Sequence, residues 1–432
     1  MPGPVRVARA IFSRVGAILA ARAPGETVRG RIARVHPPPR AAQVTVLTGF
    51  LGSGKTTLLN HLLLGDHGMK FAIIENEFGE VGIDEKIINP QIKEKIDEEI
   101  IEVMNGCICC TVRGDLVETL KKLAKKVAKF DGIIIETTGL ADPAPVAQTF
   151  FVDEDIAKLY SLDCICAVTD AKHLVMRLDD EKPEGVENEA VEQLAFADKI
   201  LLNKIDLVPE EAELAKIEAR IKTINPQAPI LRCTQSNVSW KEIIGVQAFN
   251  LDRVLDFEPE FLTDLDAEHQ HDETVSSVSV KFEGELMVRG LSRWIDKLIQ
   301  EKGADLFRYK GVMAVKGSEA KFIFQGVGML FTGGFSDFTW APDEKRECRF
   351  VFIGRNLDKK ALVEEVMAYK VTNELRFKIG DKVFANTGDA WQPGKIIRLW
   401  DDGNPYRIEL EDADKTNVWG PMDDDDLVRA RE

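Results

Sequence analysis

The chain has 432 residues, 72 acidic against 56 basic side chains for a net charge of −16, 44% hydrophobic residues and seven cysteines. That length allows two or three domains, and a body this acidic argues against nonspecific nucleic-acid binding, the acidity reading as solubility. No apolar run approaches the roughly 20 residues of a bilayer span, which speaks against a membrane protein, and so few cysteines do not make a secreted disulfide framework.

Residues 1–40 differ in kind from the rest of the chain. They carry eight Arg against the single acid Glu26, a net +7, which leaves −23 for the remainder. Arg6, Arg9, Arg14 and Arg22 interleave with Val, Ala, Ile and Leu ahead of Pro37-Pro38-Pro39, in the manner of a mitochondrial or plastid transit peptide. Ser13 and Thr27 are the segment's only hydroxyl residues, so a basic extension on a cytoplasmic protein is the alternative.

From 41 to 248, apolar runs at 44–47, 71–74, 132–135, 164–168, 199–202 and 228–231 alternate with helical patterns. At 116–130, Leu116, Leu120, Leu123 and Val127 fall near one stripe with lysines opposite, predicting a helix. The expected fold class is α/β, a doubly wound parallel sheet with its ligand at the carboxyl ends of the strands.

Directly after the first run comes Gly49-Phe-Leu-Gly52-Ser53-Gly54-Lys55-Thr56-Thr57, the spacing of a phosphate-cradling P-loop. A glycine-rich turn frees backbone N–H groups for phosphate oxygens, and the following helix adds the positive end of its dipole. Lys55 is then placed for the β- and γ-phosphates and the Thr56 hydroxyl for Mg²⁺. Cys107, Cys109 and Cys110 crowd one short segment. Thiolates are soft ligands suited to Zn²⁺, but three on one turn leave a tetrahedron incomplete, and a redox pair or reactive thiol is the competing reading.

Glu136-Thr137-Thr138-Gly139 follows the third run. An acid at a strand end can hold a metal-bound water and Gly139 lets backbone approach the γ-phosphate, although an acid there can also cap the next helix. Asn203-Lys204-Ile205-Asp206 follows the fifth run. The Asp206 carboxylate can accept two hydrogen bonds from guanine, a donor pair that adenine lacks, so GTP is favoured over ATP.

Residues 249–274 turn acidic and irregular and read as a linker. A second unit over 275–370 has strands at 275–282, 321–324 and 350–353 and helices at 291–301 and near 357–368, an α+β pattern. Gly326, Gly328, Gly333 and Gly334 read as hairpin punctuation. A third unit at 374–429, with short strands at 382–384, 394–397 and 406–410, has the pattern of a small SH3- or Tudor-like barrel. Its Trp391, Trp400, Tyr406 and Trp419 either fill a small core, the favoured reading, or line a groove for a protein or peptide ligand.

Together these motifs resemble the CobW-type metallochaperone branch of the G3E family of P-loop GTPases, which includes the zinc-regulated GTPase metalloprotein activators. The resemblance also rests on Glu75-Asn76-Glu77-Phe78-Gly79-Glu80, Asn105-Gly106 before the cysteines, Asp142-Pro143, and a C-terminal region with Arg308-Tyr309-Lys310-Gly311 and Val351-Phe352-Ile353-Gly354; it covers about 43–369. It implies GTP, Mg²⁺ and Zn²⁺ as ligands. Phosphate binding falls to Gly49 through Thr57, Mg²⁺ or water positioning to Glu136, guanine recognition to Asn203, Lys204 and Asp206, and metal binding to the three cysteines with Glu75 or Glu80 as a fourth ligand. The implied activity is GTP hydrolysis coupled to metal transfer to a client apo-metalloprotein. Cobalt or iron insertion, a non-catalytic metal buffer and a signalling switch are the rival expectations. His269, His271 and Asp272 are read as a short exposed acidic stretch rather than a second metal site.

Overall fold

A computed structural model describes residues 41–65, 68–75, 100–102, 112–124, 130–139, 142–180, 182, 188–249, 275–303, 305–328, 330–372, 374–401 and 403–431. The first layer holds β1 (Ala42–Thr48), α1 (Lys55–Leu64), β2 (Phe71–Glu75), β3 (Ile100–Glu102), α2 (Val112–Leu123), β4 (Gly132–Glu136), α3 (Ala144–Val152), α4 (Glu154–Leu159) and β5 (Tyr160–Asp170). It continues through α5 (Leu174–Leu178), α6 (Glu189–Phe196), β6 (Lys199–Asn203), α7 (Glu211–Ile224) and β7 (Ile230–Arg232). Seven parallel strands stand in the order β3-β2-β4-β1-β5-β6-β7.

The unbroken apolar runs follow from burial on both faces. Val44 and Val46 of β1, Ile133 and Ile135 of β4, and Ile165 and Ala167 of β5 pack toward α2 to α7. Their alternates Leu47, Ile134, Cys164, Cys166 and Val168 pack toward Leu58, Leu59 and Leu62 of α1. The expected doubly wound sheet is present. The helix read over 116–130 begins earlier, at Val112, and ends at Leu123, while 125–129 lie outside the described residues.

The second sheet is antiparallel, in the order β11-β10-β9-β12-β8, built from β8 (Val275–Glu283), β9 (Leu306–Met313), β10 (Ala320–Val327), β11 (Leu330–Thr339) and β12 (Glu347–Arg355). The amphipathic helix α8 (Val288–Lys302) buries Leu291, Trp294, Ile295 and Leu298, with Leu362 and Val366 of α9 (Lys359–Met367), against one face. The other face contributes Phe307, Val327, Val351 and Ile353 to the core of the first layer. At that junction Arg308 of β9 pairs with Asp198, and their side chains are 4% and 1% exposed. Arg308 also donates to the Phe196 carbonyl (3.3 Å), and Arg355 pairs with Glu192 (3.2 Å). This junction explains why β9 escaped the apolar-run reading: Arg308 and Lys310 interrupt it because they face the charged junction.

The third sheet, β16-β15-β14-β13-β17, comprises β13 (Lys382–Asn386), β14 (Trp391–Asp401), β15 (Asn404–Leu410), β16 (Asn417–Gly420) and β17 (Val428–Ala430). Of Trp391, Trp400, Tyr406 and Trp419, Tyr406 alone joins the buried core with Val383, Ile396 and Ile408. Trp391 and Trp419 are instead half-buried under Arg429 and Arg407, at 4.1 and 4.2 Å from ring centre to guanidinium. Gly403 (φ +76°) lets the β14–β15 turn touch the second unit, since a Cβ there would meet the Lys316 carbonyl at 2.3 Å. Among the described residues no helix is long and apolar enough to cross a membrane.

Burial and the neighbouring Arg308 guanidinium push the Lys310 ammonium down to about 8. The unfolded chain, with an ordinary lysine near 10.4, therefore binds more protons between about pH 8 and pH 10.4, and stability rises with pH across that window. Raising the pH from 8 to 9.5 should stabilise the protein by about 1 kcal/mol, after a discount for partial solvent access. Chemical denaturation of Lys310→Met should lack that increment; the same pH slope in the variant would assign it to other groups.

Candidate nucleotide site

The sheet register sets the sequence motifs side by side. Leu47 lies opposite Glu136, Thr48 opposite Ala167, and Asp170 opposite Asn203, so the carboxyl ends of β4, β1, β5 and β6 form one edge. The P-loop leaves this edge from β1 and enters α1, whose first turn holds no acidic residue and whose N-cap, Gly54, is left-handed. That end presents the positive end of the helix dipole to an anion.

Two glycines are fixed by close approach. A Cβ on Gly49 (φ +138°) would stand 2.1 Å from the Val168 carbonyl, and one on Gly139 would stand 2.4 Å from the Leu51 amide. The Glu136–Gly139 turn therefore lies against the phosphate loop with no room for a side chain. Lys55, 7% exposed, curls its ammonium into the loop, donating to the Gly49 carbonyl at 2.7 Å and the Phe50 carbonyl at 3.4 Å. The Thr56 hydroxyl donates to Glu136 Oε1 at 3.0 Å. A hydroxyl and a carboxylate in contact make the hard oxygen set that suits Mg²⁺, so the residues fit that ion.

The guanine-side motif is braced against the same loop. Asn203, 2% exposed, donates to the Ser53 carbonyl (2.9 Å) and the Ser236 hydroxyl (3.0 Å) and accepts from the Ser236 amide (2.8 Å). Ser236 in turn donates to the Gly54 carbonyl at 2.9 Å. Lys204 has a left-handed backbone (φ 60°), and its ammonium donates to the Gly52 carbonyl (2.7 Å) and to Asp170 (2.8 Å). Asp206 sits exposed in a 3₁₀ turn beside the edge. Ser53 is fully buried in the loop, and Thr57 is exposed on the first turn of α1.

Two contributors escaped the sequence reading. Asp170 ends an apolar strand as Glu136 and Asn203 do, and that shared position was the available signal. Ser236 lies in the polar run Thr234-Gln235-Ser236-Asn237 just past β7.

Cys107, Cys109, Cys110 and Glu80 lie outside the described residues, as do His269, His271 and the linker beyond 249; Glu75 is described only as the backbone end of β2. The described cysteines, Cys164, Cys166, Cys233 and Cys348, are all buried. Burial pushes the thiols of Cys166, Cys233 and Cys348 up to about 12, 11 and 12. Such thiols are inert core residues. No cluster of metal-binding side chains occurs among the described residues.

The family model "CobW/HypB/UreG, nucleotide-binding domain" matches residues 43–232, and "Cobalamin synthesis protein cobW C-terminal domain" matches 275–370. The chain is 37% identical over 324 residues to the zinc chaperone YjiA of Escherichia coli, covering 74% of this chain and 96% of that protein. It is 39% identical over 252 residues to the zinc-regulated GTPase metalloprotein activator 1 of Dictyostelium discoideum, covering 52% of each. The crystal structure of Zn(II)-bound YjiA GTPase from E. coli superposes with a TM-score of 0.60 at 30% identity, over 77% of this chain and all of that one.

Proposed function

The chain belongs to the CobW/HypB/UreG family of P-loop GTPases, and from that premise we propose that it is a zinc metallochaperone, which hydrolyses GTP to hand zinc to a client apo-metalloprotein. The observation that carries the reading is the shared edge on which Lys55, the Thr56–Glu136 pair and the Asn203–Asp206 turn converge, in a chain similar to proteins named as zinc chaperones.

In this reading residues 41–248 carry the nucleotide chemistry and 275–370 form the unit docked on it, with 374–429 open to a protein ligand. Gly49 through Thr57 wrap the phosphates, and Asp206 accepts the two guanine donors. Thr56 and Glu136 would hold Mg²⁺, whose chemistry there is to neutralise charge on the β- and γ-phosphate oxygens. Gly139, packed on the loop, is placed to sense the γ-phosphate. Cys107, Cys109 and Cys110, with Glu75 or Glu80, take zinc as cargo. Coupling between nucleotide and cargo must be reciprocal, so zinc and GTP should raise each other's affinity by one common factor, typically about 5–150-fold.

The test is GTP hydrolysis and binding of a fluorescent GTP analogue by the full chain, metal-free and then with buffered Zn²⁺. A Cys107→Ala/Cys109→Ala/Cys110→Ala variant runs alongside. Zinc should stimulate the wild type and leave the triple variant unchanged, while metal-free nucleotide binding stays equal in the two. Hydrolysis indifferent to zinc but responsive to Co²⁺ or Fe²⁺ would reassign the cargo. Indifference to all three would overturn the coupling.

A further inference from the structure

Asp170 is 3% exposed and closes β5 at the nucleotide edge, outside the phosphate and guanine motifs. Burial alone would raise its carboxyl, but hydrogen bonds from Lys204 and His173 outweigh it and hold the group below the ordinary carboxylate value. The carboxylate is therefore charged and has three partners: the Lys172 amide on Oδ1 at 2.9 Å, and His173 Nδ1 (2.9 Å) and the Lys204 ammonium (2.8 Å) together on Oδ2. We propose that Asp170 is a positioning residue for guanine nucleotides, acting through Lys204 to lock the base-binding turn onto the phosphate loop.

The argument begins with Lys204. Its φ of 60° lies in the left-handed region, where a side chain with a Cβ is strained, and such a residue persists only where surrounding contacts over-determine it. Two contacts do so, both from the ammonium: one to the Gly52 carbonyl and one to Asp170. Because Asn203 precedes Lys204 and Asp206 follows two residues on, the left-handed turn aims the motif. One side chain therefore joins a strand end, a loop that holds phosphate and a turn that holds the base. Removing the Asp170 charge takes away the better of the two anchors, since a charged pair is stronger than a bond to a neutral carbonyl. The Thr56–Glu136 pair on the metal side does not share any of these bonds.

This inference rests on the reading that Asn203–Asp206 takes guanine, and the experiment separates the two. KM and kcat for GTP and affinity for a fluorescent GDP analogue are measured on full-length wild type, Asp170→Asn, His173→Ala, Lys204→Met and the Asp170→Asn/Lys204→Met double variant. Asp170→Asn should raise KM and weaken GDP binding by one common factor, about 10-fold, with kcat little changed. In the Lys204→Met background Asp170→Asn should add nothing, because its route to the nucleotide is already cut. His173→Ala, which leaves the Lys204 contact in place, should leave KM unchanged.

A lower kcat at unchanged KM, additive effects in the double variant, or a KM rise in His173→Ala as large as in Asp170→Asn would each overturn the inference. Asp206→Asn supplies the independent control. The amide should exchange guanine for xanthine, whose ring carbonyl accepts where guanine's amine donates. Failure of that switch would remove the guanine reading itself; a successful switch beside an unaltered Asp170→Asn would remove only the role of Asp170.

Discussion

Lys55→Met should lower kcat/KM for GTP by about 10²–10³-fold, the usual consequence of deleting one preorganised donor at a centre of developing charge. The ammonium sits inside the cradle, bonded to the Gly49 and Phe50 carbonyls and 7% exposed. It needs no large movement to reach phosphate oxygens, so little reorganisation opposes catalysis. Methionine keeps most of the stem and its packing while removing charge and donor, which makes it a cleaner probe than alanine. Phosphoryl transfer depends on positioning and charge neutralisation, and the lost interaction strengthens as the transition state forms. Single-turnover hydrolysis should therefore fall further than GDP binding. Activity within about fivefold of wild type would mean that Lys55 is no part of the phosphate machinery, because a charged donor at that place is worth more.

The second large effect is on stability. Asp198→Asn should destabilise the folded chain by about 3–5 kcal/mol, the range for removing one partner of a buried ion pair. The Asp198 side chain is 1% exposed, pairs with Arg308, and accepts the Ile165 amide at 2.8 Å. Without its charge, Arg308 loses its paired carboxylate and Lys310 a neighbouring negative charge. Asparagine retains an acceptor for Ile165, so the loss is chiefly electrostatic. Adding Arg308→Met should return much of the deficit, since a buried pair replaced by apolar side chains is often neutral. A shift of the urea midpoint equivalent to less than about 1 kcal/mol would show the junction to be wetter than its exposure indicates.

Most of the first layer could be read in the chain because its strands are covered on both faces. Val44 to Leu47 or Ile133 to Ile135 can be nothing but buried, whichever way each side chain points. The nucleotide motifs were legible for a related reason: a backbone cradle restricts sequence at fixed spacing, as Gly49 and Gly139 show by leaving no room for a Cβ. Asp170 shares its strand-end position with Glu136 and Asn203, but its partner Lys204, like the Gly54 carbonyl that Ser236 meets, lies far along the chain, so nothing local says what either side chain will bond. β9 was missed because the charge of Arg308 is satisfied by Asp198, which no window around residue 308 contains. The small third sheet misled differently, since Trp391 and Trp419 lie half-buried beneath arginines while Tyr406 joins the core.

The shared core of the first layer and the second sheet bears on synthesis at the ribosome. The strands around β1, and with Ser236 the bracing of the phosphate loop, are available once the chain has emerged that far. Phe307, Val327, Val351 and Ile353, which close the same core, come later. At about 5–20 residues per second, a nascent chain passes several seconds with a nucleotide pocket assembled and an apolar face still open. Guanine nucleotide that enters during this interval would hold the half-built protein together while it waits for its cover.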